Sequence, residues 1–265
     1  MMHITVSVPF HLDHTLDSGQ VFRWKKMRSR WEGIVNGKKI CISQHGETIH
    51  CNCTLECVTS YFRLDDDLDH ILASIDKDEK IHPILTALRG LRIIRQDPWE
   101  CLISFICSAF NNVPRIKGII ENLCEHFGTP FDDGYMFPSA HTLAHASLKE
   151  LRQCGLGYRD RYVVKTARFV DSGFPLHSLK HLPYPQAKKA LLELPGVGHK
   201  VADCVLLFSL EKLEAFPCDV NILTCMKRLY PECSDVNQFG PHYFGPFAGY
   251  ANHYLYHSQR LRKNQ

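Results

Sequence analysis

No apolar run in this 265-residue sequence approaches the roughly 20 residues needed to cross a bilayer, so a membrane-spanning protein is not expected. The start, Met1-Met2-His3-Ile4-Thr5, shows no charged leader followed by an apolar stretch, and secretion is not indicated. No long basic cluster reads as a nuclear address. No internal repeat, low-complexity tract or flexible linker stands out. Excess charge is also scarce: the formal net charge of +3 permits nucleic-acid binding without arguing for it. The default expectation is therefore a monomer in a cytoplasm, nucleoid-associated if prokaryotic, with no membrane partner. The twelve cysteines, in a chain with no export signal, read as reduced thiols rather than a disulfide framework.

The first fifty residues read as β. Ile4, Val6 and Val8 alternate with polar residues, as a half-buried strand requires. Trp31 to Val35 and Lys38 to Ser43 flank Asn36-Gly37, a two-residue hairpin signal, and a further strand is expected around Thr48 to Asn52. From about Leu55 the period turns helical. Asp65-Asp66-Asp67 is read as a helix cap, Pro98 and Pro114 as helix starts, Gly128 as a stop, and Ser147 with Glu150 as a capping box. The expected class is α+β: a small N-terminal antiparallel sheet domain with flanking helices over residues 1–90, then a mainly helical body over 91–265.

Residues 185 to 221 carry the chemistry. A short helix around Ala187 to Leu194 leads into Pro195-Gly196-Val197-Gly198, and His199-Lys200-Val201-Ala202-Asp203-Cys204 opens a second helix. Two glycines around one residue allow positive φ and close backbone approach, and the free N–H groups of the second helix suit a phosphate. A glycine-rich turn alone is equally an ordinary helical hairpin; Leu-Pro-Gly-Val-Gly-x-Lys-x-Ala-Asp is more specific. Lys200, in the first turn, sits where the helix dipole disfavours an ammonium and favours the neutral amine that attack on a sugar carbon needs. Alone it would be a solvated surface charge. Asp219, in Ala215-Phe216-Pro217-Cys218-Asp219-Val220-Asn221, reads as a helix N-cap, and a carboxylate held that way also stabilises positive charge on a deoxyribose.

These residues resemble the 8-oxoguanine DNA glycosylase/lyase family of the helix-hairpin-helix superfamily. Four blocks carry the resemblance over almost the whole chain: Ser18 to Trp24, Gln96 through Asn112 and Arg115, Gly155 to Tyr162, and Leu194 through Asp219. A weaker fifth runs from Gly245 to Tyr250. The resemblance implies two helical subdomains containing a helix-hairpin-helix motif, with an active-site cleft between them. It also implies double-stranded DNA bearing oxidised guanine as partner, excised by base flipping, Lys Schiff-base formation and β-elimination. Lys200 and Asp219 are then catalytic. Gly19, Cys204, Asn252 and Tyr256 form the base-recognition set, with Gly19 offering its carbonyl to the lesion and Cys204 and Tyr256 flanking the base. Asn111, Asn112, Arg115, Tyr158, Arg159, Gly196, Gly198, His199 and Asn221 take DNA-binding roles, Tyr158 as a wedge and the two arginines on the orphaned cytosine.

Four positions depart from the family pattern. Phe110 replaces an Asn that contacts cytosine, which relaxes the expected opposite-base preference. Asn252 replaces a Gln, Asn221 a His and Tyr256 a Phe. No cofactor is expected: no cysteine occurs from residue 234 onward, unlike the iron–sulfur relatives, and Cys51, Cys53 and Cys57 lack a usual zinc spacing. Two alternatives stay open, a superfamily enzyme for another damaged base and a catalytically silent DNA-binding module.

Overall fold

A computed structural model describes residues 2–131 and 134–263. The chain opens with β1 (Met2–Thr5), α1 (Leu12–Asp17) and the two-residue β2 (Lys25–Lys26), followed by β3 (Trp31–Val35), β4 (Lys38–His45) and β5 (Thr48–Cys51). These strands form one antiparallel sheet in the order β1-β5-β4-β3-β2. The β3–β4 hairpin turns where expected, with Asn36 at φ 48° and Gly37 at φ 73°, the paired positive values of a type I′ turn. The short α1 and β2 escaped the alternation rule. Neither has the length to show a period, and α1 owes its helicity to burial of Leu12 and Leu16 on one face.

Helices follow as α2 (Leu55–Tyr61), α3 (Leu68–Ile75), α4 (His82–Ala87), α5 (Pro98–Ser108) and α6 (Val113–Phe127). A small ribbon of β6 (Pro130–Phe131) and β7 (Gly134–Tyr135) precedes α7 (Ala140–His145), α8 (Leu148–Gln153) and α9 (Asp160–Asp171). The chain then runs through α10 (Tyr184–Leu192), α11 (His199–Ser209), α12 (Val220–Leu229), α13 (Val236–Phe244) and α14 (Ala248–Lys263). The expected caps are present. Asp67 accepts from His70 N at 3.0 Å, and Ser147 with Glu150 closes a reciprocal capping box. Gly128 ends α6 for a reason the sequence did not suggest. Its φ is an ordinary −78°, but a Cβ there would lie 2.1 Å from the Met136 carbonyl.

Two hydrophobic cores divide the molecule. One lies under the sheet and contains Ile4, Leu16, Trp24, Trp31, Ile42, Val58 and Phe62. The other fills the helical body. Leu68, Ile71, Ile75 and Leu85 of α3 and α4 belong to the helical core, whereas Ile94 belongs to the core under the sheet. A polar seam joins the two. Buried Gln20 donates to the carbonyls of Thr15 and Arg92 and accepts from Ile94 N at 2.9 Å. Arg92, fully buried, donates to the carbonyls of Pro9, Arg63 and Asp66. The Ser18–Trp24 block thereby pins the loop carrying Gly19 against the helical body.

Candidate active site

Lys200 projects from the first turn of α11 after the Pro195–Gly198 turn. Of the two glycines expected to need positive φ, only Gly196 does, at +82°, where a Cβ would also lie 2.6 Å from Tyr162. Gly198 is extended at φ −93°, with open space where a Cβ would be. Its lack of a side chain therefore leaves room for something outside the protein rather than relieving strain. Thr166 Oγ1 donates to the Pro195 carbonyl at 2.7 Å and ties the turn to α9.

The Lys200 ammonium donates to Ser108 Oγ at 2.9 Å and stands 5.0 Å from the centre of the Phe105 ring. Both partners lie on α5, so the lysine reaches across a helix–helix boundary. Asp219 caps α12. Its Oδ1 accepts from Ile222 N at 2.8 Å and its Oδ2 from Asn221 Nδ2 at 3.1 Å. Both expected roles of Asp219 fit one geometry, because the capping bond fixes the carboxylate while leaving it half-buried on the pocket wall.

Lys200 and Asp219 line the same small cavity, of about 40 Å³, together with Gly19, Phe105, Cys204, Phe208, Pro217, Asn252, His253 and Tyr256. Residues from the Gly19 loop, α5, α11, the Asp219 loop and α14 thus converge on one cavity. All six residues expected to be catalytic or base-reading are among them. Gly19 has φ +86°, and a Cβ there would lie 3.4 Å from Tyr256 and 3.0 Å from Arg260. Any side chain would be strained and would crowd the facing ring. Burial pushes the Cys204 thiol up to about 12 and the Tyr256 phenol up to about 12, so both flank the cavity as neutral groups. Asn252 donates through Nδ2 to the Pro217 carbonyl at 3.1 Å, bracing the loop that ends in Asp219.

The sequence did not single out Phe105, Ser108, Phe208, Pro217 or His253. Phe105 and Phe208, stacked at 5.5 Å, have the periodicity of core residues, and nothing local marks them as pocket walls. Cys51, Cys53 and Cys57 do not form a metal-holding group. Among the described residues the one such group is exposed: His141 and His145 of α7 with Asp171 of α9.

The expected DNA-contacting residues lie outside the pocket, at element ends. Asn112 caps α6, accepting from Arg115 N at 3.0 Å, and Asn111 donates to the Cys107 carbonyl at 2.8 Å. Arg115 and Tyr158 are exposed. Arg159, unlike Arg115, is buried. It is 6% exposed, stacks on Tyr158 at 4.4 Å and donates to the carbonyls of Ala109 and Leu156. Nor is Asn221 free: besides Asp219 it binds Lys263 Nζ at 2.7 Å. His199 is exposed beside Gly198. Phe110 is the extreme case, 97% exposed and in the left-handed region at φ 54°.

Residues 3–102 match the family described as 8-oxoguanine DNA glycosylase, N-terminal domain, and residues 103–235 match the HhH-GPD superfamily of base excision DNA repair proteins. The chain belongs to the 8-oxoguanine DNA glycosylase family. It is 31% identical to the N-glycosylase/DNA lyase of Arabidopsis thaliana over 245 residues, covering 84% of this chain and 66% of that protein. With the N-glycosylase/DNA lyase of Saccharomyces cerevisiae it shares 36% identity over 199 residues, 67% of this chain and 52% of the yeast protein. The chain thus spans about half to two-thirds of these curated relatives. The fold also superimposes on the 8-oxoguanine glycosylase/lyase of Clostridium acetobutylicum, solved with duplex DNA carrying cytosine opposite 8-oxoguanine. The TM-score is 0.91 at 31% identity, covering 99% of each chain. No helix among the described residues is long and apolar enough to cross a membrane.

Proposed function

We propose that the protein is a bifunctional DNA glycosylase and AP lyase that excises 8-oxoguanine from duplex DNA. The observation that carries this reading is the shared pocket: an amine nucleophile and a rigidly capped carboxylate line one cavity whose walls are a bare glycine, a thiol and an aromatic ring. The damaged nucleotide is flipped into that cavity, because C1′ and the base edge are shielded inside a duplex. Lys200 Nζ, in its neutral form, bonds to C1′ as the C1′–N bond breaks and its electron pair leaves with the base, which takes up a proton. Opening of the sugar ring gives the Schiff base. Loss of a C2′ proton then expels the 3′ phosphate and nicks the strand.

Ser108 and Phe105 support this step by fixing the direction of the amine before substrate arrives. Asp219, immobilised by Ile222 N and Asn221, supplies negative charge to the sugar cation without having to reorient. The Gly19 carbonyl discriminates the lesion at one ring atom, accepting from an N–H that guanine lacks. A mismatch there leaves a buried polar group unpaired, at about 1–3 kcal/mol. Gly196, Gly198 and His199 present the start of α11 to a backbone phosphate, which fixes register and reads no sequence. Asn221, already bridged to Lys263, sits on the flank of that contact. Asn111, Asn112, Arg115 and Tyr158 face the opposite strand, and Arg159 joins them by exchanging the Ala109 carbonyl for a base edge. A monomer suffices, since one chain supplies the whole cavity; the cytoplasm or nucleoid is the compartment that suits it.

Borohydride reduction on an 8-oxoguanine duplex tests the proposal. The wild-type chain becomes covalently joined to DNA, and Lys200→Gln does not while still binding the duplex. Trapping that survives in Lys200→Gln removes the lysine from its role. A panel of duplexes bearing other damaged bases tests the substrate, and preferential excision of a different lesion overturns it.

A further inference from the structure

His253 is the one imidazole on the pocket wall, next to a residue expected to read the base and three before another. It is 2% exposed. Its Nε2 lies 2.9 Å from Ser18 Oγ, directly before Gly19 in the chain. Its ring stacks parallel to Tyr256, with centroids 6.5 Å apart and planes inclined by 8°, and meets Phe208 edge-on at 5.3 Å. The imidazole therefore touches the supports of both faces of the cavity: the glycine loop on one side and the aromatic ring on the other.

The hydrogen bonds around Ser18 fix the histidine's tautomer. A serine hydroxyl has one hydrogen to give, and Ser18 Oγ gives it to the Thr15 carbonyl at 2.9 Å. The same oxygen accepts from Gln20 Nε2 at 3.1 Å. The remaining contact must run from imidazole to hydroxyl, so Nε2 carries the hydrogen. Burial, reinforced by His257 and Arg260, holds the ring far below the ordinary histidine range, down to about 3, which keeps it neutral.

We propose that His253 is a positioning residue for base recognition: it holds the Ser18–Gly19 loop and Tyr256 at a fixed separation and so sets the slot that the flipped base enters. The proposal rests on the reading of the pocket given above. It predicts an effect on base excision but not on cleavage of a pre-formed abasic site, which has no base to seat.

The test compares the two reactions in each variant under single-turnover conditions, with thermal unfolding to confirm folding. His253→Ala lowers the rate of 8-oxoguanine excision at saturating enzyme at least about tenfold, the loss of one oriented hydrogen bond worth about 1.4 kcal/mol. Its abasic-site cleavage stays within about twofold of wild type, on the same scale. His253→Gln, which keeps a side-chain N–H for Ser18, recovers part of the excision rate; His253→Phe, which keeps the ring but no donor, recovers less. Equal loss of both reactions, or no loss of either, overturns the proposal, as does recovery by Phe rather than Gln. A wild-type chain that cleaves abasic sites but does not excise 8-oxoguanine overturns the substrate reading instead. The same variants assayed on the lesion it does excise then decide His253.

Discussion

The pocket and the surface proposed to face the opposite strand differ in how their side chains are held. In the pocket Lys200 is held by Ser108, Asp219 by Ile222 N and Asn221, Asn252 by the Pro217 carbonyl, and the Gly19 loop through Ser18 and Gln20. On the proposed strand-facing surface Phe110 and Tyr158 are exposed, while Arg159 is bonded to the Ala109 and Leu156 carbonyls. On the proposed reading, the first region is ordered before substrate arrives and the second is arranged by it. Chemistry needs atoms placed to a fraction of an ångström, whereas gripping a duplex tolerates and uses rearrangement. This contrast can be broken or sharpened by experiment.

The largest effect is at the amine. Lys200→Gln removes the nucleophile and lowers lyase turnover by at least on the order of 10³-fold, while duplex affinity measured by anisotropy changes little. If affinity falls as far as turnover, the pocket and the grip are not separable. Next comes Lys188→Met. Asp203 of α11 is buried and held by Lys188 Nζ at 2.8 Å and Tyr184 OH at 2.8 Å from α10. Stripping the lysine leaves a buried carboxylate short of its counter-ion and lowers unfolding free energy by about 3–5 kcal/mol in a denaturant titration. A loss below about 1 kcal/mol would mean the hairpin is held by its apolar contacts alone.

A third prediction concerns acid. His253 and His257 are held down to about 3 and about 4, mainly by burial, with His257 and Arg260 beside His253, and His14, Arg260 and His11 beside His257. The unfolded chain takes up protons near the ordinary value of about 6.5, before the folded chain does. Stability contributed by the two neutral rings is therefore complete above that value and is lost as the pH falls from about 6.5 towards 4. At pH 5 the loss is at most about 2 kcal/mol for each. His253→Phe should flatten the acid limb of a Tm-against-pH curve; an unchanged limb would show that these residues do not set it.

The smallest effect is on the strand-facing side. Phe110 holds a left-handed φ of 54° that favours glycine. Phe110→Gly relieves about 1–2 kcal/mol of backbone strain, offset in part by glycine's greater freedom when unfolded, and so raises Tm by a few degrees while weakening binding to the lesion duplex. Phe110→Asn restores a side chain able to hydrogen-bond cytosine. Wild-type excision should vary little with C, A, G or T opposite the lesion, and the Asn variant should favour C. A strong wild-type preference for C would refute the assigned role of Phe110.

How legible the sequence was follows the same divide. Lys200, Asp219, Gly19, Cys204, Asn252 and Tyr256 sit in ordered motif blocks or a matching register, and the structure brings all six to one cavity. The type I′ turn at Asn36-Gly37 and the Ser147–Glu150 box were legible because a few local atoms decide them. Phe105, Phe208 and His253 were not, because a pocket wall and a core residue share the same period, and only tertiary packing tells which face is left open. The burial of Arg159 was not legible either, because it depends on the Ala109 carbonyl fifty residues away. That α3 and α4 join the helical core was hidden too, since they follow the sheet in sequence but pack on α14.

Lys200 and Cys204 stand one helical turn apart on α11 and border the same cavity, yet they are not rival nucleophiles. A sulfur attacks sugars and meets peroxides as thiolate, and a thiol held up to about 12 is almost never in that form at neutral pH. Such a side chain can lean on a damaged base without capturing the ribose.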